Sequence, residues 1–105
     1  MTYEHIIHLL NTNDRAIERA VLAISARQTE DERRDEITKY HNGQGWRPCH
    51  AAIGVSMAKF IERNGSLTPK QIAYWRTPND KGVPRIHIYA RQLLKIAQER
   101  VKLTA

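Results

Sequence analysis

Apolar positions in this chain recur at helical rather than strand spacing. The opening segment, 3–10 (Tyr-Glu-His-Ile-Ile-His-Leu-Leu), is short and apolar, and Asn11-Thr12-Asn13 breaks it with side chains able to cap a helix. From about 14 to 27, Ile17, Ala20, Val21 and Ile24 fall at i, i+3, i+4 and i+7, with Arg15, Glu18 and Arg19 opposite. Thr29 then opens a third helix, where Glu32 completes a capping-box spacing and Glu30 and Asp31 suit the first turn. That helix is polar nearly all round, with Ile37 and Tyr40 as its anchors, and Asn42-Gly43 ends it. After the loop Gln44-Gly45-Trp46-Arg47-Pro48, a fourth helix from about Cys49 to Arg63 carries Ile53, Met57, Phe60 and Ile61 as its buried stripe, and Asn64-Gly65 closes it.

The strongest local signal is Leu67-Thr68-Pro69-Lys70-Gln71-Ile72. Thr68 is placed as N-cap, Pro69 as the first helical residue and Gln71 as the partner in a capping box, and Leu67 and Ile72 have the spacing of a hydrophobic staple. The short helix ends near Trp75-Arg76, because Pro78 disfavours helix at Thr77. A tight loop over 78–84 leads into a last helix from near Pro84 to about Lys102. Ile86, Tyr89, Ala90, Leu93, Ile96, Ala97 and Val101 face the core, and Arg91, Lys95, Gln98 and Lys102 share the opposite face. No stretch reads as a convincing strand. The pattern predicts one all-α domain over 1–105, a compact bundle of about five helices.

Composition fits that picture: at 105 residues, 41% hydrophobic and 27% charged, the chain suits a globular domain with a modest core. No apolar run approaches the roughly 18 residues a membrane span needs, so no membrane partner is expected. The first residues lack a basic stretch, so no signal peptide is expected. Cys49 is the sole cysteine, which rules out an intrachain disulfide and makes a reducing, cytoplasmic setting the default.

Charge is segregated. Residues 1–69 hold nine Lys/Arg and nine Asp/Glu, whereas residues 70–105 hold eight Lys/Arg against Asp80 and Glu99, so the formal +6 resides in the last third. Such a surface suits a polyanion, nucleic acid first. Arg85, Arg91, Lys95 and Lys102 are the candidate phosphate contacts, with Lys70, Lys81 and Arg76 as further ones. Tyr74 and Trp75 beside Arg76 would add base stacking. The competing reading is a solvated helix face, with Tyr74, Trp75 and Tyr89 partly in the core; for the aromatics taken alone it is preferred.

The loop His41-Asn42-Gly43-Gln44-Gly45-Trp46-Arg47 is a second candidate, because two glycines let a backbone approach a ligand or partner closely. Trp46 and Arg47 would then contact the partner, although Trp46 as a plug in the core is the preferred reading. His41, Cys49 and His50, and His5 with His8, are ligand types without the paired four-ligand spacing of a structural zinc site, so neither metal nor cofactor is expected. No hydrolase, phosphate-loop or zinc-protease signature is present. Cys49 with His50 or His41 is the one nucleophile–base pair on offer, and a cysteine serving packing is preferred, so no enzyme is expected.

Several blocks carry a resemblance. The run Thr12-Asn13-Asp14-Arg15-Ala16 with Arg27-Gln28-Thr29-Glu30-Asp31-Glu32 resembles the start of small proteins of proteobacterial phages, plasmids and integrative elements. In those proteins a block like His41-Asn42-Gly43-Gln44-Gly45-Trp46 follows, often with Phe for Trp, and then a small-residue helix like Gly54-Val55-Ser56-Met57-Ala58-Lys59. The blocks 67–76 and 85–94 look like their closing signature, so the resemblance spans about residues 12–97. A related pattern looks like an appendage of larger nucleic-acid enzymes of mobile elements, helicase-like ones included. The resemblance brings no catalytic residue set. It implies a bacterial or phage cytoplasm and a role accessory to DNA metabolism or to conflict with the host. Two functions follow as expectations: a nucleic-acid-binding accessory protein, with DNA ahead of RNA, or an inhibitor or adaptor of the anti-CRISPR or other anti-defence type, docking on a host protein or ribonucleoprotein with Trp46 and Trp75 as anchors.

Overall fold

A computed structural model describes residues 2–28, 32, 34 and 45–104, with side chains given as far as Glu99. The expected third helix lies outside the described residues apart from Glu32 and Arg34, both helical; its capping box, its anchors Ile37 and Tyr40 and its Asn42-Gly43 stop lie outside them too. The rest is an all-α bundle, as the spacing predicts: α1 (Tyr3–Thr12), α2 (Asp14–Ala26), α3 (Ala51–Asn64), α4 (Pro69–Arg76) and α5 (Ala90–Thr104). The radius of gyration, 13.2 Å, is the value of about 13 Å expected of a compact chain this long.

Local chemistry sets the boundaries. Thr2 caps α1 by accepting from the His5 N–H, and Asn13 stops α1 in an extended conformation while its side-chain oxygen caps α2 through the N–H groups of Arg15 and Ala16. At α4 the full capping box forms: Thr68 Oγ1 accepts from the Gln71 N–H, and Gln71 Oε1 accepts from the Thr68 N–H. Both staple residues, Leu67 and Ile72, are buried. Thr77 is extended, as a residue before proline should be, and ends α4.

Two boundaries differ from expectation. A 3-10 turn over Pro48–His50 precedes α3, and another over Arg85–Tyr89 precedes α5, so the last α-helix starts at Ala90 rather than near Pro84. In a 3-10 turn residues three apart eclipse. That spacing puts Ile86 and Tyr89 together in the interior. The loop between α4 and this turn is closed by the Asn79 side chain, which accepts from the N–H groups of Lys81 and Val83.

The core gathers Ile6 and Leu10 of α1, Ile17, Ala20, Val21 and Ile24 of α2, and Trp46, Trp75, Ile86, Tyr89 and Leu93. On α3 the buried face is Ala51, Gly54, Val55, Met57, Ala58 and Ile61, whereas Ile53 and Phe60, placed in the stripe by their spacing, are only half-buried. Small residues face inward because α3 runs close against a large ring. A Cβ built on Gly54 would lie 2.2 Å from Cε2 of Trp46. Glu18 ties the next connection down, its carboxylate accepting from the Leu67 N–H at 2.6 Å.

Gly54→Ala should therefore destabilise the fold by about 3 kcal/mol, the upper range for overpacking a tight core. Urea denaturation should show the midpoint falling at unchanged slope; an unshifted midpoint would mean that the ring can give way.

Candidate nucleic-acid interface

Of the aromatics considered for partner contact, Trp46 and Trp75 are interior, at 1% and 0% exposure. Their rings stack at 4.9 Å with 20° between planes, and Tyr89 meets Trp46 edge-on at 5.0 Å. Both indole N–H groups point inward: Trp46 Nε1 donates to Ser25 Oγ at 2.8 Å, and Trp75 Nε1 to the Met57 sulfur at 2.9 Å. Their expected role as stacking or anchoring residues is corrected on that ground, since neither ring offers a face to a partner.

The chain beside Trp46 is held as firmly as the ring. Its backbone N–H donates to Gln28 Oε1 at 2.9 Å. Gln92 grips Gly45 twice, accepting from its N–H at 2.9 Å and donating to its carbonyl at 3.0 Å. Gly45 has φ +78°, and a Cβ there would lie 1.8 Å from Gln28 Oε1. Ser25, Gln28 and Gln92 had no signal in the spacing that marked them; each acts on a residue distant in sequence.

Next to this plug, Tyr89 bridges two polar groups. Its hydroxyl accepts from the Arg47 N–H at 3.1 Å, which leaves its own proton for His50 Nδ1 at 2.6 Å. Burial, and then the charges of Arg85 and Arg47, push the His50 pKa down and favour the neutral ring this bond requires. Burial holds the Tyr89 hydroxyl protonated far into the alkaline range. Cys49 is exposed, and His50 Nδ1 bonds the Tyr89 hydroxyl rather than the cysteine sulfur. Among the described residues no three His, Cys, Asp or Glu side chains cluster as metal ligands; His41 lies outside them.

The basic residues divide into two groups. Arg76 works inside the fold: Nε donates to the Leu10 carbonyl at 3.0 Å near the end of α1, Nη1 pairs with Asp14 at 2.6 Å, and Nη2 is buried without a partner among the described residues. Arg85 donates to the Tyr74 carbonyl at 2.9 Å and lies 4.3 Å over the Tyr74 ring, so both are engaged with each other. The expected phosphate role of Arg76, and the stacking role of Tyr74, are corrected accordingly: the first side chain joins helices and the second is covered by a guanidinium.

The remaining cations point outward. Arg91 and Lys95 are exposed one turn apart on α5; Lys70 and Lys81 are exposed on α4 and the 78–84 loop, and Arg47 before α3. Lys102 lies in α5, with its side chain outside the described set. α5 packs on α1, α2 and the 85–89 turn, while α4 packs on α2 and that turn. Arg91 and Lys95 therefore share one face of α5, whereas Lys70 and Lys81 stand on α4 and the 78–84 loop. Glu99, the acidic residue described on α5, is already paired with Arg27 at 2.7 Å. Sequence reasoning missed Tyr3, which is 41% exposed and has the Arg91 guanidinium 6.0 Å from its ring centre. A terminal tyrosine outside any charge run gave no signal, and its neighbour across the fold is remote in sequence.

His50, and His87, whose pKa burial also lowers, bind fewer protons folded than unfolded once the pH drops past the ordinary imidazole value of 6.5. Their contribution to stability is complete above that pH and is lost progressively below it. Chemical denaturation at pH 7.5 and at pH values below 6.5 should show falling stability, and His50→Gln should reduce the slope; an unchanged slope would remove His50 from the account. Arg76→Ala should cost about 1.5–3 kcal/mol by removing a charge-assisted bond to a part-buried carbonyl, yet leave nucleic-acid affinity of the folded protein unaltered in a titration.

No family model, curated protein or solved structure matches this chain.

Proposed function

We propose that this is a small basic nucleic-acid-binding accessory protein that holds phosphates on the outer face of α5. The observation that carries the reading is the pair Arg91 and Lys95, exposed one turn apart with no acidic partner among the described residues. The formal +6 comes from residues 70–105, and the structure assigns Arg76 and Arg85 to internal contacts. The outward surplus on α5 is what meets a polyanion. Lys102 and Arg100 follow on the same helix. Lys70, Lys81 and Arg47 supply longer-range attraction, which raises encounter rates without fixing register.

The resemblance to small proteins of phages, plasmids and integrative elements supports a bacterial cytoplasm as the setting and DNA as the first ligand to test. Among the described residues no helix is long and apolar enough to cross a membrane. The inhibitor or adaptor reading rested on Trp46 and Trp75 as exposed anchors, and both rings are interior. The proposal includes no catalytic step, metal or cofactor.

Each phosphate contact releases counterions, so affinity should fall steeply with salt. Arg91→Ala with Lys95→Ala should weaken binding to labelled DNA in fluorescence anisotropy and flatten the log–log salt slope by about two. A folded double variant that binds as the wild type would sink the assignment to α5.

A further inference from the structure

We infer that the nucleic acid taken by this face is single-stranded, and that one of its bases stacks on the ring of Tyr3. This rests on the phosphate-binding role proposed for Arg91 and Lys95 and specifies its ligand. Trp46, Trp75 and Tyr89 are buried, and Arg85 covers Tyr74 at 4.3 Å. Tyr3 is the aromatic ring that stays exposed among the described residues, and with Val83 it makes up their exposed large apolar side chains. Exposing an aromatic ring gains nothing for the fold, since its apolar surface remains in water.

Its position is what gives it meaning. Tyr3 stands on α1 beside the basic face of α5, and Arg91 is the cation nearest its ring at 6.0 Å. The same molecule shows what a closed contact of this kind looks like: 4.3 Å for Arg85 over Tyr74. The Tyr3–Arg91 pair stands open at the outer limit of a cation–π contact, about 6 Å. Its ring face remains available while the guanidinium is near enough to hold the phosphate next to a stacked base. Lys95, one turn further along α5, reaches for a second phosphate. Elsewhere along the junction of α1 with the chain leading into α5, Asn11 Oδ1 lies 2.7 Å from His87 Nε2 and ties the two segments together. The spacing of Tyr3 and Arg91 is thus fixed by tertiary structure.

A base inside a duplex shows its flat faces only to its neighbours, whereas a single strand presents them to an aromatic platform. An exposed ring with a guanidinium beside it therefore selects single strands over duplex of equal charge. The base identity is left open, because every base has a π-face.

The test is anisotropy with a labelled DNA single strand of about a dozen nucleotides, within the site size of small single-strand binders, its duplex and its RNA counterpart. The proteins are the wild type, Tyr3→Leu, Tyr3→Phe and the Arg91→Ala/Lys95→Ala variant. The wild type should favour the single strand. Tyr3→Leu should lose about tenfold on it, the middle of the range for one stacked base, with an unchanged salt slope and unchanged duplex affinity, while Tyr3→Phe stays close to wild type. The same loss on RNA supports stacking equally. Wild-type affinity in Tyr3→Leu, or preference for duplex, overturns the inference; if Arg91→Ala/Lys95→Ala still weakens binding, the phosphate site survives that failure. If the wild type binds neither strand form, both readings fall. Because Tyr3 is exposed, its variants should melt as the wild type does, which circular dichroism will verify.

Discussion

An indole is costly to bury badly: it brings a large apolar ring and one N–H that needs a partner inside. Trp46 meets both demands at once, lying against Trp75 and Tyr89, under the bare backbone of Gly54, with its N–H on Ser25. Every helix near it is shaped by that insertion. α3 turns glycine and alanine inward to admit the ring; α2 contributes the hydroxyl at Ser25; and the segment before α5 tightens into a 3-10 turn so that Tyr89 reaches both the ring and the Arg47 N–H. Gln28 and Gln92 hold the backbone on either side of the Gly45–Trp46 bond, so the ring cannot swing out unless those bonds break.

The plug also determines what the surface can do. By drawing the tryptophans and Tyr89 inside, it leaves the basic third of the chain with charge but little aromatic area. Charge is then sorted a second time. Arg76 and Arg85 satisfy backbone carbonyls and so belong to the architecture, whereas Arg91 and Lys95 are exposed on α5. A count of lysines and arginines treats all these residues as equivalent, and the fold separates them by what lies within reach of each guanidinium.

What could be read in the sequence was local. A cap among Asn11, Thr12 and Asn13, the Thr68–Gln71 box, the apolar face of α2 and the end of α4 before Pro78 each depend on residues a few positions apart, and each appears where the spacing puts it, the cap falling on Asn13. The buried face of α3 was misplaced toward Ile53 and Phe60, because the size of the inward residues is set by Trp46, outside that helix. The start of α5 was placed too early for a similar reason: helical periodicity does not distinguish an α-helix from the tighter turn that carries Ile86 and Tyr89 inward. At the candidate interface the cations of α5 were visible as a stripe, while the engagement of Arg76 with Leu10 and Asp14, and the nearness of Tyr3 to Arg91, involve residues far apart along the chain.

The same long reach bears on how the molecule assembles. Ser25 and Trp46 are 21 positions apart, Arg47 and Tyr89 are 42, Gly45 and Gln92 are 47, and Asp14 and Arg76 are 62. Helical bundles usually fold fast because their contacts are short-range, and distant pairings slow the search by the entropy of closing large loops. Here the central ring has no finished pocket until α2, α3, α4 and the approach to α5 have all arrived. Partial assemblies gain little, so the chain should unfold in a single cooperative transition rather than helix by helix.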